Sequence, residues 1–194
     1  MRVILGSSSP RRKELLSQIM TEFEIIKPDF EEKQNKGEPA LDYALRNSKS
    51  KAESILSTLD QAKDTLIISS DTIGLLNDRV FEKPKSEQDA FEMLRTLSSQ
   101  VHDIITSYCL LYIDKEGNKN ICSDYVTTKV YFRDLSDKEI LDYIATGEPM
   151  DKAGSYGIQA RAASFVSHIE GSYTNVVGLP LAQVKEAIDK LLKP

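Results

Sequence analysis

Apolar residues recur along this chain at three different spacings, and each spacing predicts a different kind of element. Val3, Ile4 and Leu5 form a short unbroken run, as in a buried strand, and polar Gly6, Ser7, Ser8 and Ser9 follow at once. Ser9 is expected to cap a helix that starts at Pro10, where a missing N–H costs nothing, with Leu15, Leu16 and Ile19 on one side. The segment EFEII at 22–26 reads as a second short strand and leads into the acidic turn KPDFEEK. From Ala40 onward, Leu41, Ala44, Leu45, Ala52, Ile55, Leu56 and Leu59 keep a helical period and predict the longest helix, with Lys49 and Lys51 in its middle. TLIIS at 65–69 is almost continuously apolar, like a strand covered on both faces, and places Ser70, Asp71 and Thr72 at its C-terminal end.

Beyond a turn at Asn77-Asp78 and the pair Lys83-Pro84, a helix carries Ala90, Phe91, Leu94 and Leu97. Residues 101–132 predict two long strands joined around Gly117, and Ser136 with Glu139 makes a capping box for a helix that runs to about Ala145. Residues 147–165 and 171–180 read as polar, glycine-bearing connections, and a last helix from near Pro180 buries Leu181, Val184, Ile188 and Leu191. The order of elements predicts an α/β fold with a mixed sheet rather than one regular βαβ array.

Composition narrows the function classes. At 194 residues the chain suits one domain or two closely packed lobes sharing a sheet. A net charge of −5, with no concentrated Lys/Arg stripe, speaks against a nucleic-acid backbone as partner. No apolar run approaches the length that spans a membrane, and the first apolar run is too short for the core of a secretion signal, so the cytoplasm is the default location. Cys109 and Cys122 fall on predicted neighbouring strands and match no zinc spacing, so they read as two thiols in a reducing compartment.

Two segments carry candidate chemistry. The strand, polar turn and proline-started helix around GSSSPRR would aim free backbone N–H groups, the hydroxyls of Ser7 and Ser8 and an arginine fork at an anion. The alternative is a capped helix whose arginines are merely solvated. Neither a Walker loop nor a dinucleotide-binding glycine pattern is present. Asp71, at the end of a buried strand, stands where open α/β sheets collect ligands. With the carboxylates of DFEEK it would supply the hard oxygens that Mg²⁺ prefers. Spacing alone leaves Lys51, Lys83 and Lys152 as solvated lysines.

SSSPRRKELL from 7, KA at 51–52, SDT at 70–72, EKP at 82–84, GEPMDKAGSYGIQ at 147–159 and GSYTNVVGLPL at 171–181 together resemble the Maf family, the septum-formation-inhibitor-like proteins, in order and across essentially the whole chain. The resemblance implies a single domain over 1–194 with two lobes around a nucleotide cleft. It implies an elongated mixed sheet flanked by helices, as in the inosine triphosphate pyrophosphatases. It further implies a homodimer that splits nucleoside triphosphates to the monophosphate and pyrophosphate with Mg²⁺ or Mn²⁺.

Laid on this chain, the family's motifs put substrate binding on Ser7, Arg12, Lys51 and Lys83, the metal on Glu32 and Asp71, and proton acceptance on Asp71. Arg11, Thr72 and Gln159 match the specificity positions of the branch acting on dTTP and UTP rather than that acting on 7-methyl-GTP. A side-chain amide at Gln159 can donate to one pyrimidine carbonyl and accept from the ring N3–H. Gly74 departs from a usual β-branched residue and Ala160 from a usual glycine beside the expected base pocket, which bears on base preference more than on the reaction. A noncatalytic nucleotide-sensing regulator of cell division is the alternative from a different class.

Overall fold

The computed structural model describes residues 1–193. Among the described residues these α-helices and β-strands follow one another: β1 (Arg2–Gly6), α1 (Pro10–Ser17), β2 (Glu24–Ile25), α2 (Ala40–Leu56), β3 (Thr65–Leu76), β4 (Arg79–Phe81), α3 (Glu87–Leu97), β5 (Val101–Ile113), β6 (Lys119–Phe132), α4 (Asp137–Ile144), β7 (Val166–Glu170), α5 (Tyr173–Val177) and α6 (Leu181–Leu191). Seven strands make one mixed sheet in the order β2-β1-β3-β5-β6-β7, with β4 paired to β3. Packing divides the chain into two compact units. The first comprises Met1–Asp71, Thr106–Val126 and Gly178–Pro194, and the second Thr72–Ile105 and Thr127–Val177.

In the first unit β1 runs parallel to both neighbours, pairing Ile4 with Glu24 and Leu5 with Ile25 of β2, and Arg2 to Gly6 with Thr65 to Ser69 of β3. Ile4, Ile67, Ala52, Ile55 and Cys109 share its apolar core. A methyl group on Gly6 would lie 2.6 Å from Ile55 Cδ1, so a glycine there lets α2 settle closely on the end of β1. Cys109 is buried and Cys122 half-buried, both as free thiols, and burial pushes the Cys109 thiol up.

In the second unit Phe81, Leu94, Leu97, Val130, Phe132 and Ile140 form the centre of another core. The turn at Asn77-Asp78 is a two-residue hairpin from β3 to β4 with φ of 48° and 63°, the left-handed pair that suits the twist of the flanking strands. Both halves of the Ser136–Glu139 capping box form at α4.

Three expectations need correction. β3 does not stop at Ser69 but continues to Leu76, because its second half pairs antiparallel with β4. Ser9 occupies the cap position of α1, yet its side chain makes no capping bond, and the hydroxyl of Ser7 accepts from the Ser9 N–H at 3.2 Å instead. The connection at 171–180 contains α5, and the stretch between the two connections forms β7. β7 pairs with β6 from Lys129 opposite Glu170, and its exposed Ser167, His168 and Glu170 leave no continuous apolar run to reveal it.

His102 is buried in the second unit, its Nε2 sharing a 2.7 Å hydrogen bond with the Tyr156 hydroxyl, and burial pulls its pKa down to about 4. The unfolded chain therefore binds a proton here between about pH 6.5 and 4 that the folded one refuses. Stability from this group is full above pH 6.5 and is lost as pH falls, by about 3 kcal/mol at pH 4. Urea midpoints measured from pH 7 to pH 4 should show this loss, and His102→Phe should flatten that part of the curve.

Candidate active site

The buried face of α2 consists of two adjacent rows at four-residue spacing. Tyr43, Asn47, Lys51 and Ile55 form one row, and Ala44, Ser48 and Ala52 the other. Three polar residues therefore sit inside an apolar stripe. The buried Ser48 hydroxyl is satisfied within the helix, donating to the Leu45 carbonyl at 3.0 Å, while the Ser48 carbonyl accepts from the buried Ser69 hydroxyl of β3 at 2.6 Å. Ser107 of β5 makes the equivalent tie to the Ala44 carbonyl, also at 2.6 Å. These bonds hold the helix at a set height above the sheet.

Lys51 reaches from that helix to two carboxylates. Its ammonium lies 2.6 Å from Asp71 Oδ1 and 2.8 Å from Glu32 Oε1, with its own side chain only 7% exposed. Asp71 is equally enclosed, and its other oxygen, Oδ2, accepts from Asn47 Nδ2 at 2.9 Å. Glu32 approaches from the solvent side with a half-exposed side chain. Asp71 stands two residues past the last β1–β3 pair, Gly6 with Ser69, so it marks the end of the parallel pairing although it lies within the longer β3.

Ser7 and Arg12 flank the same end of β1. The Arg12 guanidinium donates from Nε to the Gly178 carbonyl at 2.9 Å and from Nη1 to Ser7 Oγ at 3.4 Å, and Ser70 Oγ donates to that same carbonyl at 3.2 Å. Burial lowers the pKa of Arg12, while the negative charges of Asp71 and Glu32 act the other way. No acidic residue lies in the first turn of α1, so the positive end of that helix is not neutralised from within.

The structure thus brings Glu32, Lys51 and Asp71 into direct contact and joins Ser7 to Arg12, all in the first unit. Arg11 is half-buried on α1. Thr72, half-buried on β3, Lys83, exposed after β4, and Gln159, exposed in a turn, belong to the second unit. Asn47 and Ser70 were not anticipated. For Asn47 the available signal was an amide one helical turn before Lys51 on the apolar stripe.

Among the described residues no three His, Cys, Asp or Glu side chains gather as a complete metal cage. Two carboxylates meeting at one ammonium form an oxygen-only donor set. That set fits a hard divalent cation of the kind that keeps several waters and takes its remaining ligands from phosphate.

Residues 2–191 match the family described as Maf-like protein. The chain belongs to the Maf family. Among the relatives of this Maf chain, a dTTP/UTP pyrophosphatase of Photorhabdus laumondii is 46% identical over 186 residues, covering 96% of this chain and 92% of that one. A dTTP/UTP pyrophosphatase of Alkaliphilus metalliredigens is 44% identical over 189 residues, covering 97% of this chain and 95% of that one. Among solved structures, the Staphylococcus aureus Ham1 protein aligns with a TM-score of 0.47 at 12% identity, covering 96% of this chain and all of that one.

Removing the Lys51 charge leaves Asp71 buried against an empty partner. Lys51→Met should lower unfolding stability by about 3 to 5 kcal/mol, as broken buried pairs do. The double variant Lys51→Met with Asp71→Asn should recover a large part of that loss, which urea titration of the three variants would measure.

Proposed function

We propose that this Maf protein hydrolyses dTTP and UTP to the nucleoside monophosphate and pyrophosphate, as a cytoplasmic homodimer. The observation that carries the reading is similarity at 44% and 46% identity, over nearly the full chain, to proteins named dTTP/UTP pyrophosphatase. The geometry supports it chemically. Lys51 and Arg12 bring positive charge to the end of β1, where Glu32 and Asp71 supply oxygens, and a metal-bound triphosphate needs both kinds of partner.

In this mechanism Arg12, Lys51 and Lys83 bind phosphate oxygens, and Ser7 with the first amides of α1 donates to the same chain. Glu32 and Asp71 would hold Mg²⁺ or Mn²⁺, which supplies charge neutralisation for the phosphates. Water attacks the α-phosphorus, the bond from that phosphorus to the bridging oxygen breaks, and its electron pair leaves with pyrophosphate. Asp71 accepts the proton that the water gives up. Arg11, Thr72 and Gln159 set the preference for a pyrimidine base.

Hydrolysis of dTTP in ¹⁸O-labelled water should place the label in dTMP, with pyrophosphate formed one to one and chelation of the divalent ion stopping turnover. Label in orthophosphate, with dTDP as co-product, would mean attack at the γ-phosphorus and a different enzyme. Nucleotide binding without turnover in any divalent metal would favour the noncatalytic sensor. Asp71→Asn should lower kcat by about 10²-fold or more. Gln159→Glu should reduce the ratio of UTP to 7-methyl-GTP turnover by about tenfold, since a carboxylate cannot donate to a pyrimidine carbonyl.

A further inference from the structure

Asp71 has two oxygens, and the structure treats them differently. Oδ1 meets the Lys51 ammonium at 2.6 Å, while Oδ2 takes the Asn47 amide at 2.9 Å. Lys51 is a shared partner, because Glu32 Oε1 lies 2.8 Å from the same nitrogen. An ammonium held by two anions can turn toward a third, such as a phosphate oxygen, and loosen its hold on either. The amide has no comparable choice. Asn47 is fully buried, carries no charge at any pH, and sits on a helix fastened to the sheet by the Ser69–Ser48 and Ser107–Ala44 bonds on the neighbouring row.

We infer that Asn47 is a positioning residue for the reaction: it anchors Asp71 Oδ2 and so fixes the carboxylate plane, leaving Oδ1 as the working oxygen. The inference rests on the proposed pyrophosphatase reading and adds a residue and an atom to it. A carboxylate on a short side chain rotates about its terminal bond across a broad well. Without an anchor, departure of Lys51 toward phosphate would leave Asp71 free to turn, and a proton acceptor a fraction of an ångström out of line loses rate steeply. The Nδ2–Oδ2 bond removes that freedom whether or not Lys51 stays. A leucine of similar shape in place of Asn47 would fill the same space and keep the helix face apolar, yet give Oδ2 no donor.

The test compares the full chain with Asn47→Leu on three readings: thermal unfolding, kcat and KM for pyrophosphate release from dTTP, and Mn²⁺ affinity followed by electron paramagnetic resonance. The expected result is a folded variant whose kcat falls by about tenfold or more while KM stays within about threefold, with Mn²⁺ bound about fivefold more weakly. A residue that only packs would shift the melting temperature and leave kcat and Mn²⁺ affinity of the folded protein at parental values, and that outcome would overturn the assignment. Should the leucine variant not fold, Asn47→Ala, which suits a helix, takes its place on the same three readings, and the same results uphold or overturn the anchor. A parent chain inactive on dTTP and UTP would sink the function reading, while weaker Mn²⁺ binding by the variant would still uphold the anchor on Asp71.

Discussion

The ammonium of Lys51 between Asp71 and Glu32 is the constraint from which most of the first unit follows. Taking a lysine and an aspartate out of water costs several kcal/mol for each ion, and only close, well-satisfied contact offsets it. Contact at 2.6 Å requires that α2 lie tightly on the sheet and that its Lys51 row face β3. Gly6 permits the approach, the Ser69 and Ser107 hydroxyls bond the helix backbone, and Asn47 satisfies the aspartate oxygen that Lys51 does not reach. Each of these features makes little sense alone. Together they make a buried charge tolerable at the end of the parallel strands.

Charge balance at this place is local. Glu32 and Asp71 contribute two negative charges, Lys51 and Arg12 two positive ones, in a chain whose net charge is −5. The Lys51 ammonium, held by two carboxylates of unequal burial, is suited to change partners. The Asp71–Asn47 bond, neutral on one side and enclosed, is suited to stay.

Elements with strong periodicity were legible before any coordinates. The stripe of α2, the apolar face of α3, the two long strands around Gly117 and the Ser136 capping box all stand where spacing put them, because local sequence and burial agree there. β7 and α5 were not legible. β7 is exposed at most positions and α5 has only five residues, so neither carries an apolar pattern long enough to read. The second half of β3 escaped for another reason: Ser70, Asp71 and Thr72 look like a turn, yet the strand runs through them to Leu76, with β5 beside it in the sheet and β4 paired to its end.

The sequence by itself determined the α/β class, the membership of the candidate residues and their family, since these depend on local spacing and on motifs whose order survives without coordinates. It named Glu32 and Asp71 as joint metal candidates and Lys51 as a phosphate binder, but held no information on the distances among them. Tertiary structure alone decided that one ammonium serves both carboxylates, and that Asp71 ends the parallel pairing rather than its strand. It also decided that an unremarked asparagine takes the second aspartate oxygen. The physical reason is that hydrogen bonds and ion pairs act over a few ångströms between residues about twenty positions apart in the chain, and the packing of α2 on β3 sets those few ångströms.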